Sequence, residues 1–386
     1  LRNKGDLSNA EFWNIAGRAG RAYKDKEGYI ILSYSNSQKE TKATVKRYIE
    51  SDLKEVISSL NAYFTGNNII SLDYNVLKDS NNAPILNLLQ YINHILNISY
   101  DYDISPKDIA KIRGILTDSY LYHSLSKQEG FINAQRKLNT FVTQYIRHVN
   151  KNKKEDMAKA DELGISDISY TKVKSIIGAF IYGLKEKGDH EYKASEIILR
   201  TRNIERLTEI INIIAKIPEI KIDMLGQGKL DPENIAKLLM GWVNGDKVRD
   251  IAKEIKRPGQ SDEDAISLCN RYLNSQMKSY MPWGINIYQA VSFDLQTENA
   301  QMLPSYIYYG VSSKEAVIVS KLGVPRFAVD NVLRVLKEKN PELPISIEDM
   351  DRLRAAINKI ESADYQVENT KGKIIKEIID KRIKGI

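Results

Sequence analysis

Only one cysteine, Cys269, stands in 386 residues, so neither a disulfide framework nor a cysteine metal site can be built. Histidine is scarce too. His94, His123, His148 and His190 are scattered without ligand spacing, and each reads as structural or solvent-facing rather than metal-binding. No apolar run approaches the roughly 20 residues that cross a bilayer, so no membrane partner is expected. No fixed-period repeat occurs. The start, Leu1-Arg2-Asn3-Lys4-Gly5-Asp6, lacks an initiator methionine and has no signal-peptide pattern. The expectation is a piece cut from a longer protein, in a reducing, cytoplasmic setting.

Hydrophobic residues make up 42% and charged residues 28%, a balance that excludes a disordered or fibrous chain. The formal net charge of +7 fits a phosphate-rich partner, although many basic proteins bind no nucleic acid.

Only the first segment reads as α/β. Ser8 caps a short helix with Glu11 completing a capping box. A Gly- and Arg-rich turn follows, and Gly28 to Tyr34 reads as a buried strand. From there the pattern is helical. Thr41 to Phe64 carries an amphipathic stripe, and Ile69 to Leu77 reads as a short strand or irregular. Ser105-Pro106-Lys107-Asp108 starts a helix, and Lys151 to Asp156 is a charged run suited to a boundary or exposed loop. Thr171–Leu184 and Ser195–Ile217 are helical by spacing. Asp231, Asp246 and Ser261 read as helix caps, and Ser312-Ser313-Lys314-Glu315 and Ser346-Ile347-Glu348-Asp349 as capping boxes. Gly323-Val324-Pro325 breaks and restarts a helix, giving a helix-turn-helix-like pair. Arg326, Arg334 and Lys337 are placed on its second helix as candidate nucleic-acid contacts, against the plainer reading of a solvated basic face. Lys371 to Ile386 is a basic amphipathic helix or a frayed end. Cys269 reads as a buried, inert thiol.

The chemistry concentrates in Asn14-Ile15-Ala16-Gly17-Arg18-Ala19-Gly20-Arg21. Gly17 and Gly20 permit tight turning and close approach. Arg18 and Arg21, three apart, project from one turn in a similar direction. Two guanidinium forks aimed at one point suit a polyphosphate, which they neutralise bidentately. The plainer alternative is a basic turn on an ordinary helix.

This segment resembles motif VI of superfamily 2 helicases, Gln-x-x-Gly-Arg-x-Gly-Arg. Its Gly-Arg-Ala-Gly-Arg form is most similar to the Ski-like and archaeal repair-helicase branch and to large bacterial DEAD/DEAH-box helicases. The spacer and strand through Leu32 also resemble the end of the second RecA-like domain there. Two positions depart from the pattern: Asn14 stands in place of the usual Gln, and Ala22 in place of a frequent Pro. The resemblance covers about the first 36 residues. It implies that Arg18 and Arg21 are arginine fingers reaching the γ-phosphate of ATP across an interdomain cleft, with Asn14, Gly17 and Gly20 shaping the ATP-binding loop. Arginine fingers in phosphoryl transfer are worth roughly 10³–10⁵ in rate.

The chain contains neither a Gly-x-x-x-x-Gly-Lys-[Ser/Thr] phosphate loop nor an Asp-Glu-x-[Asp/His] magnesium motif. The resemblance assigns both to a first RecA-like domain, which would bind most of the ATP and Mg2+. The fragment alone is therefore expected to be inactive. Leu238 to Gly245, with Trp242, is similar to a Trp-x-x-Gly segment in C-terminal helical domains of the same branch, and Tyr280-Met281-Pro282-Trp283-Gly284 is a second echo. The plainer reading of both tryptophans is as core aromatics.

The expected class is mainly α, with helical accessory domains preceded by the α/β C-terminal edge of a second RecA-like domain. Residues 1–36 end that domain, and 37–150 are helical with room for a winged-helix unit. Residues 151–300 form a helical bundle and 301–386 a hairpin and basic tail. Expected partners are single-stranded or duplex nucleic acid and the N-terminal RecA-like domains of the same protein. The resemblance permits a role in DNA repair or defence. The rival expectation is a non-enzymatic helical scaffold or protein-docking module.

Overall fold

The computed structural model describes residues 42, 46, 60–66, 72–78, 82–220, 222, 229–365 and 369–383. The motif from Asn14 to Arg21 and the strand expected at Gly28–Tyr34 lie outside the described residues. Within them the protein is mainly α, as its spacing predicts, and no strand occurs.

Two compact units divide the chain. One comprises 1–68 and 113–140, the other 69–112 and 141–386. In the first, α1 (Asn61–Thr65) is tied to α5 (Tyr120–Ser126) by Asn61, whose Nδ2 donates to the Ser124 hydroxyl at 2.8 Å. Ser119 caps α5 by accepting the Tyr122 amide. The Tyr122 and Phe131 rings meet edge to face at 5.3 Å, an arrangement their quadrupoles favour. Helices α4 (Pro106–Thr117) and α6 (Phe131–Val149) contribute residues to both units.

The second unit begins with α2 (Tyr74–Leu77) and α3 (Ala83–Tyr100). Of the segment Ile69–Leu77, expected as a short strand or irregular, the described part holds a helical turn over Tyr74–Leu77, which Asp73 caps by accepting the Asn75 amide at 2.8 Å. There follow α7 (Lys154–Glu162), α8 (Asp167–Glu186), α9 (Ala194–Glu196) and a π-helical turn, Ile197–Thr201. Next come α10 (Ile204–Ile214), α11 (Pro232–Val243), α12 (Val248–Glu254) and α13 (Asp262–Ser275). A second π-helical turn, Gln276–Tyr280, joins α13 to α14 (Met281–Ser292). The unit closes with α15 (Glu298–Tyr309), α16 (Lys314–Lys321), α17 (Val329–Lys339), α18 (Met350–Asn358) and α19 (Asn369–Ile383).

One continuous apolar core holds the helices from α7 onward, with Leu207, Ile211, Leu239, Tyr288, Ile307 and Val332 each wholly buried. Asp231 and Ser261 cap α11 and α13 as expected, each accepting the amide three residues on, whereas the cap of α16 is Ser313, one residue beyond the Ser312 of the expected box. Other boundaries move. The helix expected over Ser195–Ile217 is split, because Arg202 turns left-handed at φ +55° and Asn203 then caps α10. Asp246 does not cap α12; Lys247 occupies that position, without a side-chain bond. The Ser346 box closes a turn, its hydroxyl donating to Asp349 at 2.8 Å, and α18 begins only at Met350. Of the charged run from Lys151, only the first residues form a turn, since α7 starts at Lys154.

Candidate functional site

Of the residues singled out in the sequence, Arg18, Arg21, Asn14, Gly17 and Gly20 lie outside the described residues. Arg326, Arg334 and Lys337 are within them, and they are placed differently from one another.

Gly323, at φ +95°, ends the α16 turn, where a residue without Cβ meets no steric penalty. Arg326 follows in a short 3-10 turn, Arg326–Ala328, ahead of α17. It is therefore not on the second helix, as the spacing predicted. Its guanidinium is half-buried and donates to four backbone carbonyls. Nε reaches Gly310 at 2.7 Å, one terminal nitrogen reaches Asp246 at 2.9 Å, and the other reaches Trp242 at 2.6 Å and Gly241 at 3.4 Å. The same cation lies 4.2 Å from the Trp242 ring centroid, close enough for a cation–π attraction. Burial pulls its pKa down to about 10, against the opposing pull of Asp246. The end of α11 with its following turn, and the turn after α15, thus converge on this one side chain of the turn after α16.

The Trp242 indole completes the arrangement by donating to the Ile307 carbonyl at 2.8 Å. Gly310, at φ +69°, leaves no room for a Cβ, which would overlap Trp242 and Arg326. Trp283 likewise donates to a carbonyl, that of Leu163, at 2.8 Å. Both tryptophans therefore serve packing here, with their N–H groups satisfied as buried indoles require.

Arg334 lies on α17. One terminal nitrogen bridges both Glu338 oxygens at 3.0 and 2.9 Å, and the other donates to the Asp364 carbonyl at 3.1 Å. Lys337 is exposed on the same helix. Arg326 and Arg334 thus meet acceptors of the fold itself, whereas Lys337 is exposed.

Histidine chemistry that the spacing could not show appears in space. His94 Nδ1 lies 3.0 Å from Asp161, whose other oxygen accepts from Asn97 at 2.8 Å. His148 Nε2 lies 2.9 Å from Asp167, which also accepts the Tyr145 hydroxyl at 2.5 Å. Burial, then the Asp167 charge, pushes the Tyr145 phenol well above its usual range. These pairs join α3 to α7 and α6 to α8. Their partners are 67 and 19 residues apart in sequence, so no local motif marks them. Cys269 is buried in α13, and burial pushes its thiol up to about 11.

No protein-family model matches the chain. The chain is similar to Hachiman protein HamB of Bacillus cereus. The two are 22% identical over 358 residues, covering 81% of this chain and 29% of HamB. The chain thus spans less than a third of that relative's length.

Proposed function

We propose that this chain is the C-terminal part of an ATP-dependent nucleic-acid helicase. The observation that carries the reading is the paired-arginine segment Gly17-Arg18-Ala19-Gly20-Arg21. The distant similarity to HamB supports a helicase-related reading, with defence as its setting. In this reading ATP binds between two RecA-like domains and Arg18 and Arg21 complete the site from the second. ATP and Mg2+ are bound mainly by a first RecA-like domain. The fingers stabilise charge developing on the transferred phosphoryl group. Hydrolysis releases them, the two domains separate, and single-stranded nucleic acid advances along the helical region. Without a phosphate loop and a magnesium motif, the isolated chain does not turn over ATP.

A nucleic-acid path makes a prediction that a protein-docking scaffold does not. The chain should bind single-stranded DNA or RNA with an affinity that falls steeply as salt rises, because phosphate contacts release counterions. Filter binding across a salt series checks it. Absent or salt-independent binding would remove the nucleic-acid path and favour the scaffold.

A further inference from the structure

Phe293 is exposed at 79%, more than any other large apolar side chain among the described residues. It ends α14 with φ +58° and ψ +32°, a left-handed conformation in which a bulky side chain is an outlier. Its flanks are locked. Ser292 and Asp294 are both buried, and so is Gln289, one turn back. The Gln289 carboxamide donates to the carbonyls of Asp294 at 3.1 Å and Ala300 at 2.9 Å. The Asp294 carboxylate accepts the Ser195 amide at 2.9 Å and the Ser195 hydroxyl at 2.6 Å. A strained backbone position persists only where its surroundings over-determine it. Here a buried polar network holds a left-handed residue in place, and the result is a phenyl ring standing in water.

We propose that Phe293 is a stacking post for an unpaired base of single-stranded nucleic acid. This rests on the helicase reading above. The residues that follow the ring, Gln296, Thr297, Glu298 and Asn299, are exposed and polar. A protein hot spot is ringed by contacts that exclude water. A base needs only a π face with cations close by to hold the backbone. The Asp294–Ser195 bonds bring the stretch Lys193–Arg202 alongside. That stretch carries Lys193, Arg200 and Arg202 against a single acid, Glu196, and both arginines are exposed. It extends on the order of 10 Å along its helical turns, within reach of a strand stacked on Phe293.

The test titrates the 386-residue chain with a single strand carrying 2-aminopurine and with an abasic strand of equal length. Phe293→Gly suits φ +58°, so its Tm should equal or exceed that of the parent chain. Its affinity for the base-bearing strand should fall about tenfold, with loss of 2-aminopurine quenching and little change for the abasic strand. Phe293→Trp should bind the base-bearing strand at least as well as the parent. Unchanged affinity in Phe293→Gly, or equal loss for both strands, overturns the stacking role alone. A parent chain that binds neither strand overturns this role and the helicase reading together.

Discussion

The guanidinium of Arg326 is shared by carbonyls from two segments, the end of α11 with the turn that follows it, and the turn after α15. Buried acceptors left without a donor are costly, so Arg326→Ala should lose about 3 kcal/mol of unfolding free energy. Chemical denaturation checks this. Arg326→Lys should recover only part of the loss, since a point ammonium cannot span the same fork. A loss under half a kilocalorie would show that these bonds are dispensable. Cys269 gives a second residue-scale prediction. With its thiol raised to about 11 by burial, the thiolate is scarce at neutral pH and becomes populated only as pH rises toward that value. Alkylation at pH 8 should therefore be slow in the folded chain and fast in denaturant; mass spectrometry reads the difference. Rapid modification of the native protein would contradict the burial.

Between helices, Gly284 of α14 packs closely against α10. A Cβ there would overlap Ile214 of α10 and press on Ile220. Gly284→Ala should destabilise by about 2 kcal/mol through overpacking, read as a lowered denaturation midpoint. A neutral result would mean that α10 shifts freely. Legibility in the sequence follows the range of the interaction. Local caps were readable at Asp231 and Ser261, because the side chain bonds an amide three residues away. Asp246 has the same residue type, yet its main chain serves Arg326, 80 positions distant. The break at Arg202 was equally hidden, since a non-glycine residue gives no warning of a left-handed turn. The glycine-proline break at Gly323 and Pro325 was readable for the opposite reason. Of the candidate cations, charge and spacing identified Arg326, Arg334 and Lys337 but could not show which of them the fold itself consumes. Phe293 was silent, because exposure and backbone strain are properties of tertiary packing.

At the scale of the whole molecule, the helical class follows from apolar periodicity and survives in every described element. The functional reading depends on a short arginine-glycine segment and on the tertiary partner it implies. Its most direct test uses a longer form of the protein that carries the preceding RecA-like domain, comparing nucleic-acid-stimulated ATP turnover before and after Arg18→Ala and Arg21→Ala. Arginine fingers require each substitution to lower kcat by about a thousandfold or more, with nucleotide affinity largely retained. Turnover equal to that of the unsubstituted protein would show that neither guanidinium meets the reacting phosphate.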